Sequence, residues 1–454
     1  MCKSLFWRGL ALVLLSCSSC IGEEMPKLNI VLIVADDLGY GDLACYGNER
    51  HLTPHIDALS ASGVRFTDFH SSGPMCTPTR AAMLTGRYQQ RFGAQFDGAL
   101  SGKNQRDEGL PHAAFTIAEF LSEKDYATAC FGKWHLGYEP PWLPPHQGFD
   151  EFRGLASGDG DYHTQVDRSG TADWWNGNNI ERDKGYTTDL LTDYSVDFIE
   201  RKTKEARPFF LYLPHLAIHF PWQGPKDPPH REEGTDYIHD KWGVIPQRGN
   251  VAPHVKAMVE ALDASVGRVV AKLEEAGISN ETLVIFTSDN GGYLTYGKDF
   301  KNISSNGIFR GQKTEIYEGG HRVPTIVALP GTIMPSVTNE LGHSTDLFPT
   351  IAAFSEISME GHDVDGVDLS SLLLRDESLD DRTLFWRMKS IRAVRQGPWK
   401  FCGVGKRTEL FRLDNDPGEQ VDLSAQYPGK LRELISNWEQ WDREVNESAN
   451  AFHQ

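Results

Sequence analysis

Leu28-Asn-Ile-Val-Leu-Ile-Val-Ala35 is almost continuously apolar and runs straight into Asp36-Asp37. Thr282-Leu-Val-Ile-Phe-Thr287 repeats the pattern and ends in Ser288-Asp289-Asn290-Gly291-Gly292. A strand with one wet face alternates apolar and polar side chains. A run without alternation has both faces covered, as in a parallel sheet clad by helices. Both runs therefore predict central strands of an α/β sheet. Ligands in such sheets bind beyond the carboxyl ends of the strands, where both acidic pairs fall.

Working outward, residues 112–122 predict a helix and 126–131 a strand leading into Gly132-Lys133-Trp134-His135. Residues 208–213 predict another strand, followed by a loop rich in Pro and His. Val259, Leu262, Val266 and Leu273 fall near helical spacing, so 255–273 reads as an amphipathic helix on the sheet. Residues 156–186, rich in Gly, Asp and Trp, read as a long loop insertion of the kind that often binds ligands.

Near residue 375 the texture changes. Arg375-Asp-Glu-Ser-Leu-Asp-Asp-Arg382 is a charged linker. Short strands are expected at 383–388, 391–395, 399–402 and 410–413, with a turn at Asp414-Asn-Asp-Pro-Gly418 and a helix over 429–445. The expected fold is α/β: a large mixed, mostly parallel sheet sandwiched by helices over 23–375. A smaller antiparallel sheet plus helix follows over 376–454.

Residues 1–22 stand apart. Lys3 and Arg8 precede the apolar run Leu10-Ala-Leu-Val-Leu-Leu15, which ends in Ser16-Cys17-Ser-Ser-Cys20. That is the pattern of a signal peptide, too short for a membrane span. It predicts export to the periplasm or the medium, with membrane attachment only if Cys17 or Cys20 is lipidated. Loss of Lys3 and Arg8 moves the formal charge of -18 to -20. Such acidity argues against nucleic acid as a partner. It also repels anionic polymers, so an anionic substrate requires local cations. Outside the leader lie Cys45, Cys76, Cys130 and Cys402, whose spacing assigns no disulfide and holds no Cys-x-x-Cys metal pair.

The sharpest motif is Cys76-Thr77-Pro78-Thr79-Arg80-Ala-Ala-Met-Leu-Thr-Gly86-Arg87. Pro78 suits a helix's first turn and Gly86 its end, which puts Cys76 at the positive pole of the dipole. Arg80 lies one turn further on the same face. An isolated cysteine before a helix is more often a buried structural residue. Cys-x-Pro-x-Arg followed by Leu-Thr-Gly-Arg, however, resembles the signature of the type I sulfatases of the alkaline phosphatase superfamily. The resemblance to arylsulfatases and N-acetylgalactosamine sulfatases extends from Asn29 to about residue 425.

The resemblance implies that a maturation enzyme converts Cys76 to formylglycine (3-oxoalanine) and that one Ca2+ lies beside it. Asp36, Asp37, Asp289 and Asn290 would be its ligands, with residue 76 close to the ion. Hard oxygen donors suit calcium or magnesium; the resemblance selects calcium. Gly132-Lys133-Trp134-His135-Leu-Gly137 is similar to a family block whose lysine and histidine face sulfate and formylglycine. His219, in His219-Phe-Pro221, corresponds to the leaving-group histidine, and Lys313 to a second active-site lysine. His215 reads as polar surface.

Further substrate candidates are Ser157, after Gly148-Phe-Asp-Glu-Phe-Arg-Gly154, and His321-Arg322, for which helix–sheet packing explains the Glu318-Gly-Gly turn equally well. Trp174 and Trp175 would either stack on sugar rings or pack the insertion. The region around Asp159-Gly-Asp161-Tyr162 resembles sulfatases of sulfated galactosamine units, so a sulfated carbohydrate is the expected substrate. The implied reaction is attack by the hydrated aldehyde on sulfur and expulsion of the alcohol. Two readings compete: a phosphatase or phosphonate monoester hydrolase, which keeps the scaffold and changes the electrophile, and a non-enzymatic protein that binds sulfated glycans and never matures Cys76. Comparing aryl sulfate with aryl phosphate separates the first; an unmodified thiol with binding but no turnover marks the second.

Overall fold

The computed structural model describes residues 27–239 and 250–452; the leader expected at 1–22 lies outside the described residues. Ten strands form one twisted sheet. Five in the middle run parallel: Thr282–Ser288, Asn29–Ala35, Phe209–Pro214, Ala127–Lys133 and Glu151–Leu155, in that spatial order. Thr325–Ala328, Val64–Phe66 and Ser336–Thr338 extend one side and the short pair Trp175–Asn176 and Asn179–Ile180 the other. The expected central strands are central.

Every residue of Asn29–Ala35 and Thr282–Ser288 is buried. Pleating sends Ile30, Leu32 and Val34 into one core and Val31, Ile33 and Ala35 into the other. The first core is roofed by helices Cys76–Thr85, Ile117–Ser122 and Leu347–Phe354, the second by Pro54–Ala61, Thr187–Lys204 and Ala252–Glu275. Each such aliphatic side chain, fully buried, is worth about 1.5–3 kcal/mol of transfer free energy, which makes the sheet the rigid frame of the molecule.

Helix boundaries moved where local chemistry overrides apolar periodicity. The helix expected over 112–122 begins at Ile117, because Thr116 accepts from Glu119 N and the Glu119 carboxylate accepts from Thr116 N. The insertion is not wholly irregular, since its hairpin supplies the outer two strands of the sheet.

Four antiparallel strands, Thr383–Met388, Ile391–Gln396, Trp399–Val404 and Arg407–Arg412, make a separate sheet, and helix Pro428–Phe452 packs on it. One face meets Leu434 of that helix; the other meets Ile316 and Tyr317. Buried ion pairs cross the same junction. Lys400 lies 2.8 Å from Glu318 and 2.9 Å from Glu419, and Arg395 lies 2.7 Å from Asp68. Cys45, Cys76, Cys130 and Cys402 are all free thiols. Among the described residues no helix is long and apolar enough to cross a membrane.

Candidate active site

The parallel register determines what meets at the carboxyl end of the sheet. Ala35 pairs with Ser288, so Asp36-Asp37 and Asp289-Asn290 leave adjacent strands side by side. Asp37 and His135 both adopt left-handed backbone (φ 63° and 54°), unusual for side chains other than glycine, which turns the chain sharply just past each strand. Gly291 permits the next close approach. A Cβ there would lie 1.9 Å from the Gly319 carbonyl, so the Glu318-Gly-Gly turn packs against the acidic pair.

Helix Cys76–Thr85 begins on the nucleophile candidate and ends at Gly86, whose φ of 66° is the left-handed stop expected there. Arg80, fully buried, directs Nε and Nη2 to Asp289 Oδ2 at 3.0 and 2.8 Å and Nη1 to the Lys133 carbonyl at 2.7 Å. Lys133 donates to Asp36, and Lys313 donates to Asp37. Lys313 Nζ is also 3.7 Å from Cys76 Sγ.

His219 Nε2 lies 3.7 Å from Asp37, with Nδ1 held by the Phe220 carbonyl at 2.8 Å. His135 Nε2 contacts the Leu100 carbonyl at 3.1 Å, which leaves Nδ1 buried and bare. Gly158 makes room for that ring: a Cβ would come within 2.3 Å of it.

Electrostatics follow from crowding. Burial, reinforced by Asp289, raises the Asp36 carboxyl well above the usual range. Asp289 is held below it, Arg80 and the two lysines overcoming burial. Burial works against the Lys313 ammonium, yet Asp37 and Cys76 hold its proton more firmly than usual. Burial and Lys133 push His135 well down, and burial with Lys133 and Lys313 does the same to His219, so both imidazoles are neutral near pH 7.

The donor set fits a hard cation. Asp36 Oδ1 and Asn290 Oδ1 are buried with no hydrogen-bond partner. Ligand atoms of Asp36, Cys76 and Asp289 lie within 4.8 Å of one another, as do those of Asp36, Asp37 and His219. Two unpaired buried oxygens are costly unless a ligand takes them. Oxygen donors of this kind are calcium or magnesium chemistry.

Above this cluster is a cavity of about 380 Å3 whose walls include Cys76, His135, His219, Lys313, Ser157 and Arg168. Ser157 is thus at the cleft, its hydroxyl donating to the Asp159 carbonyl. Other substrate candidates are not. Trp174 is buried and donates to Asp183 at 2.7 Å, so its ring packs the insertion. Trp175 donates to Asp173 and faces a neighbouring cavity.

His321 lies beneath the C-terminal sheet, stacked on Trp386 and 2.9 Å from His70. Arg322 pairs with Glu318 and Asp68. Both expectations of cleft contact are corrected: the turn that carries them faces the second sheet. His215 is not surface but fully buried, 3.1 Å from Ser265.

Sequence reasoning missed Arg168. Its Nε bonds Asp159 at 2.8 Å, Asp159 is anchored from behind by buried Arg231, and the side chain is 39% exposed to the cleft. A basic residue inside the Gly/Asp-rich insertion of an acidic chain was the available signal. With Lys313 and Lys103 it supplies the local cations that an anionic substrate demands.

Comparison with known proteins agrees with this geometry. The family model described as Sulfatase matches residues 28–357. The chain belongs to the sulfatase family. Human arylsulfatase A is 34% identical to this sulfatase, over 90% of this chain and 85% of that protein. Dog N-acetylgalactosamine-6-sulfatase is 30% identical, over 92% and 85%. Among solved structures, Ps i-CgsB in complex with k-i-k-neocarrahexaose superposes with a TM-score of 0.81 at 29% identity, covering 93% of this chain and 94% of that one. The sulfatase is a sulfuric ester hydrolase of alkaline phosphatase-like fold, and its family supports a metal and a modified cysteine.

Proposed function

We propose that this sulfatase hydrolyses sulfate esters of a carbohydrate, with formylglycine made from Cys76 and one Ca2+ held by Asp36, Asp37, Asp289 and Asn290. The observation that carries the reading is the convergence of Cys76, four oxygen-donor side chains, Arg80 and two lysines at the floor of one cleft. A maturation enzyme would supply the aldehyde, and the leader would take the protein out of the cytoplasm. The hydrated aldehyde supplies a hydroxyl nucleophile and a route for releasing sulfate, and the cation would offset charge on the sulfate oxygens.

The chain's own residues do the rest. Arg80 and Lys133 fix the carboxylates, and Lys313 stands beside the position 76 atom to offset negative charge on the transferring group. His135, neutral and with Nδ1 bare, can accept a proton. His219 would give one to the departing oxygen. Burial, reinforced by Lys133 and Lys313, keeps it neutral, and the negative charge of a bound sulfate would offset the two lysines.

The carbohydrate assignment draws on the names of the relatives and on the insertion that walls the cleft with Ser157 and Arg168. Matured enzyme should hydrolyse 4-nitrophenyl sulfate in preference to 4-nitrophenyl phosphate and release sulfate from sulfated galactose or N-acetylgalactosamine saccharides. Preference for the phosphate would transfer the assignment to the phosphatase reading.

A further inference from the structure

A second cavity of about 490 Å3 opens beside the catalytic cleft, walled by Arg106, Tyr138, Glu139, Asp167, Trp175 and Ile180. Tyr138 and Asp167 line both cavities, so the two are immediate neighbours. Tyr138 is fixed on the catalytic side. Its hydroxyl donates to the Leu100 carbonyl at 2.8 Å, the oxygen that also holds His135 Nε2. The His135 and Tyr138 ring centres are 6.1 Å apart. The Arg106 guanidinium is 5.6 Å from the Tyr138 ring and bonds Glu139 at 2.7 Å.

Trp175 and Ile180 come from the hairpin that ends the large sheet, so this wall is built on strands rather than on a free loop. Ile180 is 39% exposed there, an apolar side chain with no core to enter.

Charge decides what fits. The catalytic cleft presents Lys313, Arg168 and Lys103 against Asp159 and Asp167, whereas the second cavity sets one cation, Arg106, against the carboxylates of Glu139 and Asp167; Asp173, buried and pushed up to about 7, is occupied by Ala156 N, Ser157 N and the Trp175 indole. A sulfate or carboxylate is repelled by that excess of carboxylates. Neutral hydroxyls are welcome, since carboxylates accept hydrogen bonds from them, and Pro140, Trp175 and Ile180 offer apolar surface to a ring face.

We propose that this cavity binds the uncharged sugar adjacent to the one whose ester is cleaved, so that the enzyme acts on an oligosaccharide in preference to a sulfated monosaccharide. The inference rests on the sugar-sulfate reading above and adds a position to it. Two substitutions outside the catalytic machinery test it: Ile180→Trp, which fills the cavity, and Glu139→Ala, which removes a hydroxyl acceptor.

The probe is a desulfated carrageenan tetrasaccharide, its binding to the full matured chain followed by saturation-transfer NMR, with 4-nitrophenyl sulfate turnover measured in parallel. Binding to the parent chain, weakened about tenfold or more in both variants, is expected. Turnover of the small ester should stay unchanged. Absence of binding, or equal binding by parent and variants, overturns the second site while leaving the sulfatase reading intact. Loss of 4-nitrophenyl sulfate turnover in the parent chain strikes the catalytic reading instead.

Discussion

Arg80 sends two nitrogens, Nε and Nη2, to a single oxygen of Asp289, at 3.0 and 2.8 Å, and its third to the Lys133 carbonyl. One side chain, a helical turn from Cys76, thereby ties the helix that begins at Cys76 to the ends of two strands of the sheet. The other Asp289 oxygen accepts from Asp37 N, at 3.3 Å.

Arg80→Lys keeps the charge but loses the planar fork that reaches both partners. We expect kcat/KM on 4-nitrophenyl sulfate to fall by about 100-fold, the scale of removing one preorganised charge contact. Arg80→Ala should also lower unfolding free energy in urea by about 3–5 kcal/mol, because Asp289 is left buried without its partner. An unchanged kcat/KM in Arg80→Lys would show that the fork does not matter.

Chelation tests the cation. Asp36 Oδ1 and Asn290 Oδ1 are buried acceptors without a donor, and a bound cation would satisfy both. Prolonged dialysis against EGTA should lower both Tm and activity, and added Ca2+ should restore them; at 100 times Kd the gain is about 2.7 kcal/mol. Asp36→Asn should blunt that response. A Tm indifferent to EGTA and Ca2+ in the parent chain speaks against the assignment.

His219 should matter in proportion to the difficulty of the leaving group. A nitrophenolate departs without a proton, whereas a sugar hydroxyl does not. His219→Ala is expected to lose about 100-fold or more on a sugar sulfate and much less on 4-nitrophenyl sulfate. Equal losses on the two esters would remove His219 from the leaving-group role.

His215 gives a stability prediction with a definite sign. Burial lowers its pKa to about 3, and the ring sits neutral between the sheet and Ser265. The unfolded chain takes up a proton below the ordinary histidine value of about 6.5, and the folded chain does not. Its contribution is therefore intact above pH 6.5 and is lost as pH falls towards 3, at up to about 1.4 kcal/mol per pH unit. His215→Gln should flatten that loss in urea titrations run between pH 6.5 and 4. A parallel acid profile in parent and variant would assign the sensitivity to other groups.

Much of the site was legible because the strands that carry it advertise themselves. Asn29–Ala35 and Thr282–Ser288 are apolar on both faces, so they had to be central, and their parallel pairing delivers Asp36-Asp37 beside Asp289-Asn290. Gly86 marked the end of the helix that starts on Cys76. The misreadings share one cause, burial created by distant segments. His215 lies under helices from Thr187 and Ala252, and His321 is covered by a sheet that begins more than sixty residues later. Local sequence carries no mark of those partners, and Arg168 reached the cleft through the fold of its insertion.

The central claim is that position 76 acts as formylglycine. The most direct measurement is the mass of tryptic peptide 66–80 from protein co-produced with a formylglycine-generating enzyme, taken alongside sulfate release by the same sample. The account predicts a peptide in which the cysteine sulfur is replaced by oxygen with loss of two hydrogens, and turnover that rises in proportion to the converted fraction. Full turnover by protein whose peptide 66–80 retains the thiol would contradict it.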